Sequence, residues 1–138
     1  MKLFLDANIL VAILNKEYPV YTYAARILSL ADNNSKIYIY TSPLCLSIAY
    51  YFATKKCSNQ EALRKIYVLV NKIGITSCSE KEVLQAINNK KISDFEDGMV
   101  YYSALTKKCN YIITEDKDDY YFSEIPVYNS KQFFEEVL

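Results

Sequence analysis

Histidine is missing from all 138 residues of the chain. That absence excludes Ser-His-Asp and Cys-His catalysis and any imidazole general base, so chemistry here rests on carboxylates, lysine, tyrosine or metal ions. The four cysteines, Cys45, Cys57, Cys78 and Cys109, include no Cys-x-x-Cys pair, and without histidine to complete a ligand set a zinc site is not expected. They read as reduced thiols, mostly filling core positions, in a cytoplasmic protein. Glycine occurs twice and proline three times against 51% hydrophobic residues, which argues against disorder and predicts a single domain over 1–138. No apolar run reaches the length of a membrane span. Met1-Lys2-Leu3-Phe4-Leu5 has the charge and apolarity of a signal peptide, but Asp6 and Asn8 interrupt it and no small-residue cleavage site follows. Neither sign of charge is in excess, since sixteen basic and sixteen acidic residues cancel; phosphate binding would need local patches. Lys55-Lys56, Lys90-Lys91 and Lys107-Lys108 are the candidates, although lysine pairs at helix ends more often complement the helix dipole.

What is present begins with Lys2-Leu3-Phe4-Leu5, which lacks polar alternation and so suits a strand covered on both faces. Asp6 ends it, either as the cap of a helix starting near Ile9 or as a site residue. The apolar pattern of 8–15 breaks at Tyr18-Pro19, and a longer helix is expected over 20–31, ended by Asp32-Asn33-Asn34-Ser35. Further strands are expected over 37–41, 73–78, 111–114 and 125–128. Between them, Ser42-Pro43 opens a helix to Lys56, and Ser58-x-x-Glu61 and Ser79-x-x-Glu82 are capping boxes for helices to about 72 and 89. A helix opening at Ser93-Asp94 runs to Lys108, and Asn129 caps the last one. Strands alternating with helices predict an α/β fold, a three-layer α/β/α sandwich around a parallel sheet of about four to five strands. Right-handed crossovers then bring Asp6, Thr41, Ser42, Thr114 and Asp116 to one edge of that sheet.

Three acidic groups compete for a role there: Asp6, the set Asp94, Glu96 and Asp97, and the set Asp116, Asp118 and Asp119. Each has an ordinary explanation. Glu96 completes a capping box with Ser93, Asp94 and Asp97 complement a helix dipole, Asp118 is solvated, and Asp119 caps a short element. Their joint position is not explained that way. Carboxylates converging from distant parts of the chain repel unless a cation neutralises them, and an all-oxygen ligand set suits Mg²⁺ or Mn²⁺. Such a site fits hydrolysis of phosphate esters.

At this point the chain resembles the PIN-domain family, which includes the VapC-type toxin ribonucleases. The blocks that carry the resemblance are Phe4-Leu5-Asp6-Ala7-Asn8, Thr41-Ser42-Pro43, Ser93-Asp94-Phe95-Glu96-Asp97 with Ser103-Ala104-Leu105, and Ile113-Thr114-Glu115-Asp116-Lys117-Asp118-Asp119-Tyr120. The resemblance implies that Asp6, Asp97 and Asp116 are the metal-binding, catalytic acids, with Asp119 as an accessory acid. Asn8, Ser42 and Thr114 would support them or contact substrate. It also implies a cytoplasmic endoribonuclease of a toxin-antitoxin pair, with RNA as substrate, an antitoxin protein as partner, a homodimer as assembly and no membrane role. One departure stands out: Ile48 occupies the place, six residues beyond Ser42, where many members carry Glu. Asp94 or Asp119 is then the expected compensating ligand.

Two other readings fit less of the sequence. A PIN-fold protein without productive metal binding, acting through RNA or protein contacts, accounts for Ile48 but not for three retained acids that repel one another. An aspartyl-phosphate phosphatase would need a second Asp where Asn8 stands, and a receiver domain needs an acidic pair that cannot be placed. Of the aromatic pairs, Tyr50-Tyr51 and Tyr101-Tyr102 fall in helices, where packing or a dimer interface is favoured over base stacking.

Overall fold

A computed structural model describes residues 1–33 and 36–138 of the chain. Its order is β1 (Lys2–Leu5), α1 (Ala7–Asn15), α2 (Val20–Asn33), β2 (Tyr38–Thr41), α3 (Pro43–Ala53), α4 (Asn59–Val70), β3 (Gly74–Ile75), α5 (Glu80–Asn88), α6 (Phe95–Thr106), β4 (Tyr111–Ile113), a 3₁₀ turn (Lys117–Tyr120), β5 (Val127–Tyr128) and α7 (Ser130–Glu136). Of the expected terminator of α2, Asn34 and Ser35 lie outside the described residues.

All strand pairs are parallel, in the order β3-β2-β1-β4-β5, with helices on both faces. The three-layer α/β/α architecture is the one the alternating pattern predicts. β1 is central, and Leu3, Phe4 and Leu5 are each 0% exposed, which is what a run without polar alternation requires. Burying each of these side chains contributes about 1.5–3 kcal/mol. The order of strands reverses at β1: the chain first builds outward through β2 and β3, then returns to add β4 and β5 on the other side. The carboxyl ends of β1 and β4 therefore flank the switch point, where open α/β sheets leave a crevice for ligands.

The expected strand over 73–78 contracts to two residues at the sheet edge, although the Thr76 N–H still reaches the Thr41 carbonyl at 2.8 Å. Gly74 is needed there, because a Cβ would stand 2.5 Å from the Tyr40 ring. α3 ends at Ala53, short of Lys56. Cys45 and Cys109 are buried, Cys57 and Cys78 half-buried, and all four are free thiols. Tyr101 is buried, as a packing role requires, and its hydroxyl accepts the Glu124 N–H. Among the described residues no helix is long and apolar enough to cross a membrane.

Candidate metal centre

Asp6 is both a cap and a site residue. Its Oδ1 accepts the Ala7 N–H at 2.8 Å, starting α1, while its backbone N–H continues the sheet by bonding the Ile113 carbonyl at 3.0 Å. Oδ2 accepts the Thr114 hydroxyl at 2.8 Å, and the Cys45 thiol donates to Oδ1 at 3.6 Å. Burial raises the Asp6 pKa despite these donors. Burial and the neighbouring Asp6 charge push the Cys45 thiol up to about 12, so it stays neutral beneath the carboxylate.

Thr114 is the hub between the ends of β1 and β4. While its hydroxyl donates to Asp6, its oxygen accepts from Asn8 Nδ2 at 3.0 Å and from the Asp116 N–H at 3.1 Å. Asn8 also donates to Asp116 Oδ2 at 3.2 Å and accepts the Glu115 N–H at 3.0 Å. Asn8 and Thr114 thus bind the two acidic loops to each other. Ser42 is fully buried, and its Oγ accepts the Cys45 N–H at 3.1 Å, so it caps α3 beneath Asp6 and does not face the cleft.

The start of α6 differs from the expected Ser93-x-x-Glu96 box. The cap is Asp94, whose Oδ1 accepts the Asp97 N–H at 3.0 Å, one residue later in register. Ser93 is taken out of the capping role because its N–H is bound by the Tyr121 hydroxyl at 3.1 Å. The shift frees Glu96 from capping and makes Asp97 the third helical residue. Asp119 does not cap the 3₁₀ turn but lies within it; the turn follows Asp116, whose carbonyl accepts the Asp119 N–H at 3.1 Å.

These elements enclose a cleft of about 420 Å³. Asp6, Asp97, Asp116, Asp119 and Glu96 give it acidic lining, joined by Glu17; Val11 of α1 and Ile48 and Phe52 of α3 give it apolar lining. Asp94 is not part of the lining, being engaged at the helix cap. Burial, then Asp94, Asp119, Asp6 and Glu96, push Asp97 up to about 7. Asp119 is also raised, by loss of water first and by Asp116, Asp94 and Asp118 after it. The ion pairs of the described residues, Arg64–Glu61 and Lys72–Asp32, lie elsewhere. The acids share one cleft without forming a closed cage: among the described residues no three acidic or thiol side chains are close enough to be a ready-made ligand set. Mutual repulsion keeps carboxylates apart in this way. The donor set is nonetheless the one a hard divalent cation takes, oxygen throughout and anionic in excess.

No local pattern marks Glu17 as part of the cleft. It arrives because Lys16 adopts a left-handed conformation (φ 52°) that ends α1 and turns the chain, with the Glu17 N–H bonded to the Ala12 carbonyl at 3.0 Å. A larger groove of about 560 Å³ runs past Ile13, Leu28 and Val68 with Lys16, Arg64, Lys65 and Lys72 beside it; Glu61 is its sole acid, so the carboxylate chemistry is not there.

Comparison with known proteins agrees with this fold. The family profile described as PIN domain matches residues 2–118. Ribonuclease VapC1 of Aquifex aeolicus (strain VF5) is 27% identical over 138 residues, covering 97% of this chain and 94% of that protein. The structure of VapBC2 from Rickettsia felis bound to a DNA fragment from their promoter superposes with a TM-score of 0.71 at 18% identity, over 94% of this chain and 98% of that one. Mycobacterium tuberculosis VapC20, a Sarcin-Ricin loop cleaving toxin, superposes with a TM-score of 0.65 at 15% identity, over 90% and 98% of the two chains.

Proposed function

The chain belongs to the PIN-domain family, and on that premise we propose that it is a Mg²⁺- or Mn²⁺-dependent endoribonuclease, the toxin of a toxin-antitoxin pair. The observation that carries the reading is the cleft at the switch point of the sheet, where acids from the ends of β1 and β4 and the start of α6 face one space with no basic partner among the described ion pairs. The similarity to Ribonuclease VapC1 supports RNA as the substrate. The VapBC assemblies among its structural neighbours support an antitoxin as the partner.

In this reading Asp6, Asp97 and Asp116 hold the ion, Asp119 and Glu17 stand at its margin, and Asp94 acts on Asp97 through the helix cap. A divalent ion bound there would offset the repulsion among these acids, stabilise charge on the phosphate and make water a better nucleophile. The chain's own groups do the rest. Thr114 and the Ala7 N–H orient Asp6 and favour its ionised form. Asn8 fixes Asp116 relative to Asp6 through Thr114. Asp97, raised to about 7, can exchange a proton near neutral pH when no cation is bound. Val11, Ile48 and Phe52 offer an apolar surface on which an unstacked base can lie beside the acids. Two chains are proposed to pair as a homodimer, in the cytoplasm.

The deciding experiment is cleavage of a mixed RNA pool by the purified chain with Mg²⁺ or Mn²⁺, beside Asp97→Asn and an EDTA control. Cleavage lost in both controls is the expected result. The alternative, a protein that binds RNA or protein without turnover, rests on Ile48 and is not favoured by the similarity to Ribonuclease VapC1. Millimolar Mn²⁺ that leaves the melting temperature of the wild type unchanged would select it.

A further inference from the structure

Tyr120 closes the 3₁₀ turn and is 2% exposed. Its ring needs no functional explanation, since it belongs to the hydrophobic core and its centroid lies 6.0 Å from that of Phe122. Phenylalanine would fill the same space. The hydroxyl is what packing leaves unexplained: it is buried and has no hydrogen-bond partner of full geometry among the described residues. An unpaired buried hydroxyl is destabilising and rare unless it has a task.

Its surroundings suggest the task. A tyrosine hydroxyl is neutral at ordinary pH and therefore a donor, and Asp6, Cys45 and Asp97 are its neighbours. It also lies near enough to Asp6 to favour that carboxylate in its charged form. Among the described residues Asp6 Oδ1 already receives Ala7 and the weak Cys45 donor, while Oδ2 receives only Thr114 and has a lone pair left. The thiol is a poor donor, so the buried side of Asp6 lacks a strong one apart from Thr114.

We propose that Tyr120 is a positioning residue, whose hydroxyl serves as a further donor to the Asp6 carboxylate and holds it in the geometry that receives a divalent cation. The inference rests on the metal-site reading above, and its test needs neither RNA nor turnover. Mn²⁺ binding is measured by titration calorimetry for the wild type, Tyr120→Phe and Phe122→Leu, and each is melted in EDTA. Tyr120→Phe is expected to bind Mn²⁺ about tenfold more weakly, the size of one hydrogen bond to a charged group. In EDTA it should melt close to the wild-type temperature, the lost donor to Asp6 being offset by removal of a buried polar group. Phe122→Leu, which trims packing against Tyr120, Tyr101 and Tyr121 and removes no donor, should melt lower and keep wild-type affinity. Unchanged Mn²⁺ affinity in Tyr120→Phe would overturn the inference, as would an equal loss of affinity in Phe122→Leu, which would reduce Tyr120 to a packing role. No Mn²⁺ binding by the wild type would bring down the metal-site reading itself, and this inference with it.

Discussion

Glu82 and Asp97 occupy the same position, the third residue of a helix, in the packed pair α5 and α6. Both follow a capping residue by three. Glu82 is surrounded by donors: the Ser79 N–H at 2.8 Å, the Ser79 hydroxyl at 2.9 Å and the Thr106 hydroxyl at 3.2 Å. Led by the Ser79 backbone bond, these lower its pKa. Asp97 has burial without such donors, and four acids around it, and its pKa rises to about 7. One acid is part of the scaffold; the other is held in a state that the scaffold alone does not stabilise. Unpaired charge of this kind, at the crevice of a sheet, marks a binding site better than the mere number of acids does.

The widest separation of the two comes from removing each charge. Asp97→Asn is expected to lower RNA cleavage by about a hundredfold or more, as loss of an ion-holding carboxylate does, without lowering the melting temperature in EDTA. Glu82→Ala should do the reverse, lowering stability by about 2 kcal/mol in urea melts through loss of a cap and an unpaired Thr106, with cleavage retained. If both substitutions destabilised alike, the contrast would collapse.

A smaller effect is expected in the pH dependence of stability. For Asp97 the folded pKa lies above the unfolded value near 3.8, so the folded state binds more protons between the two. Its contribution to stability is therefore present below about pH 4 and is lost as pH rises toward 7. Glu82 has the opposite sign: its depressed pKa stabilises above the unfolded value and is lost as pH falls through the folded one. Thermal melts in EDTA should show Asp97→Asn flattening the decline toward neutral pH, and Glu82→Gln flattening the acid limb. Adding Mn²⁺ to the wild type should also abolish the decline.

The smallest effect concerns the joint between the two helices. A Cβ at Gly98 would stand 3.0 Å from the Ala86 Cβ and 3.1 Å from Ile92. Gly98→Ala is expected to lower stability by about 1 kcal/mol, crowding outweighing the gain in helix propensity. Because Gly98 adjoins Asp97, the same variant should bind Mn²⁺ more weakly if the docking of α6 on α5 sets the acid's place.

Much of this was legible in the residues, and the failures have identifiable causes. The central strand showed itself because a run buried on both faces cannot hide its composition, and Asp6 stood out as the charge that ends it. The caps at Ser58 and Ser79 are written locally: the Ser58 hydroxyl accepts the Glu61 N–H, and the Glu82 carboxylate accepts the Ser79 N–H. Around Ser93 the same rule permits two overlapping registers, Ser93 with Glu96 or Asp94 with Asp97. A tertiary contact decides between them: the Tyr121 hydroxyl binds the Ser93 N–H and bonds to the Lys91 carbonyl. No local pattern contains that choice. Glu17 was invisible for a similar reason, since its place depends on a left-handed turn at a lysine, a residue with no special preference for it. β3 is shorter than the expected strand over 73–78 because an apolar edge segment resembles a strand even where it leaves the sheet after two residues.

Thr114 has one hydrogen to give and two lone pairs to fill, and all three are taken. A residue with no free valence is a rivet. It ties the loops that follow β1 and β4 into one stiff body, so opening one means dragging the other. Any breathing of the cleft is left to its other walls, the start of α6 and the Glu17 turn, while Asp6 and Asp116 keep a fixed bearing on each other.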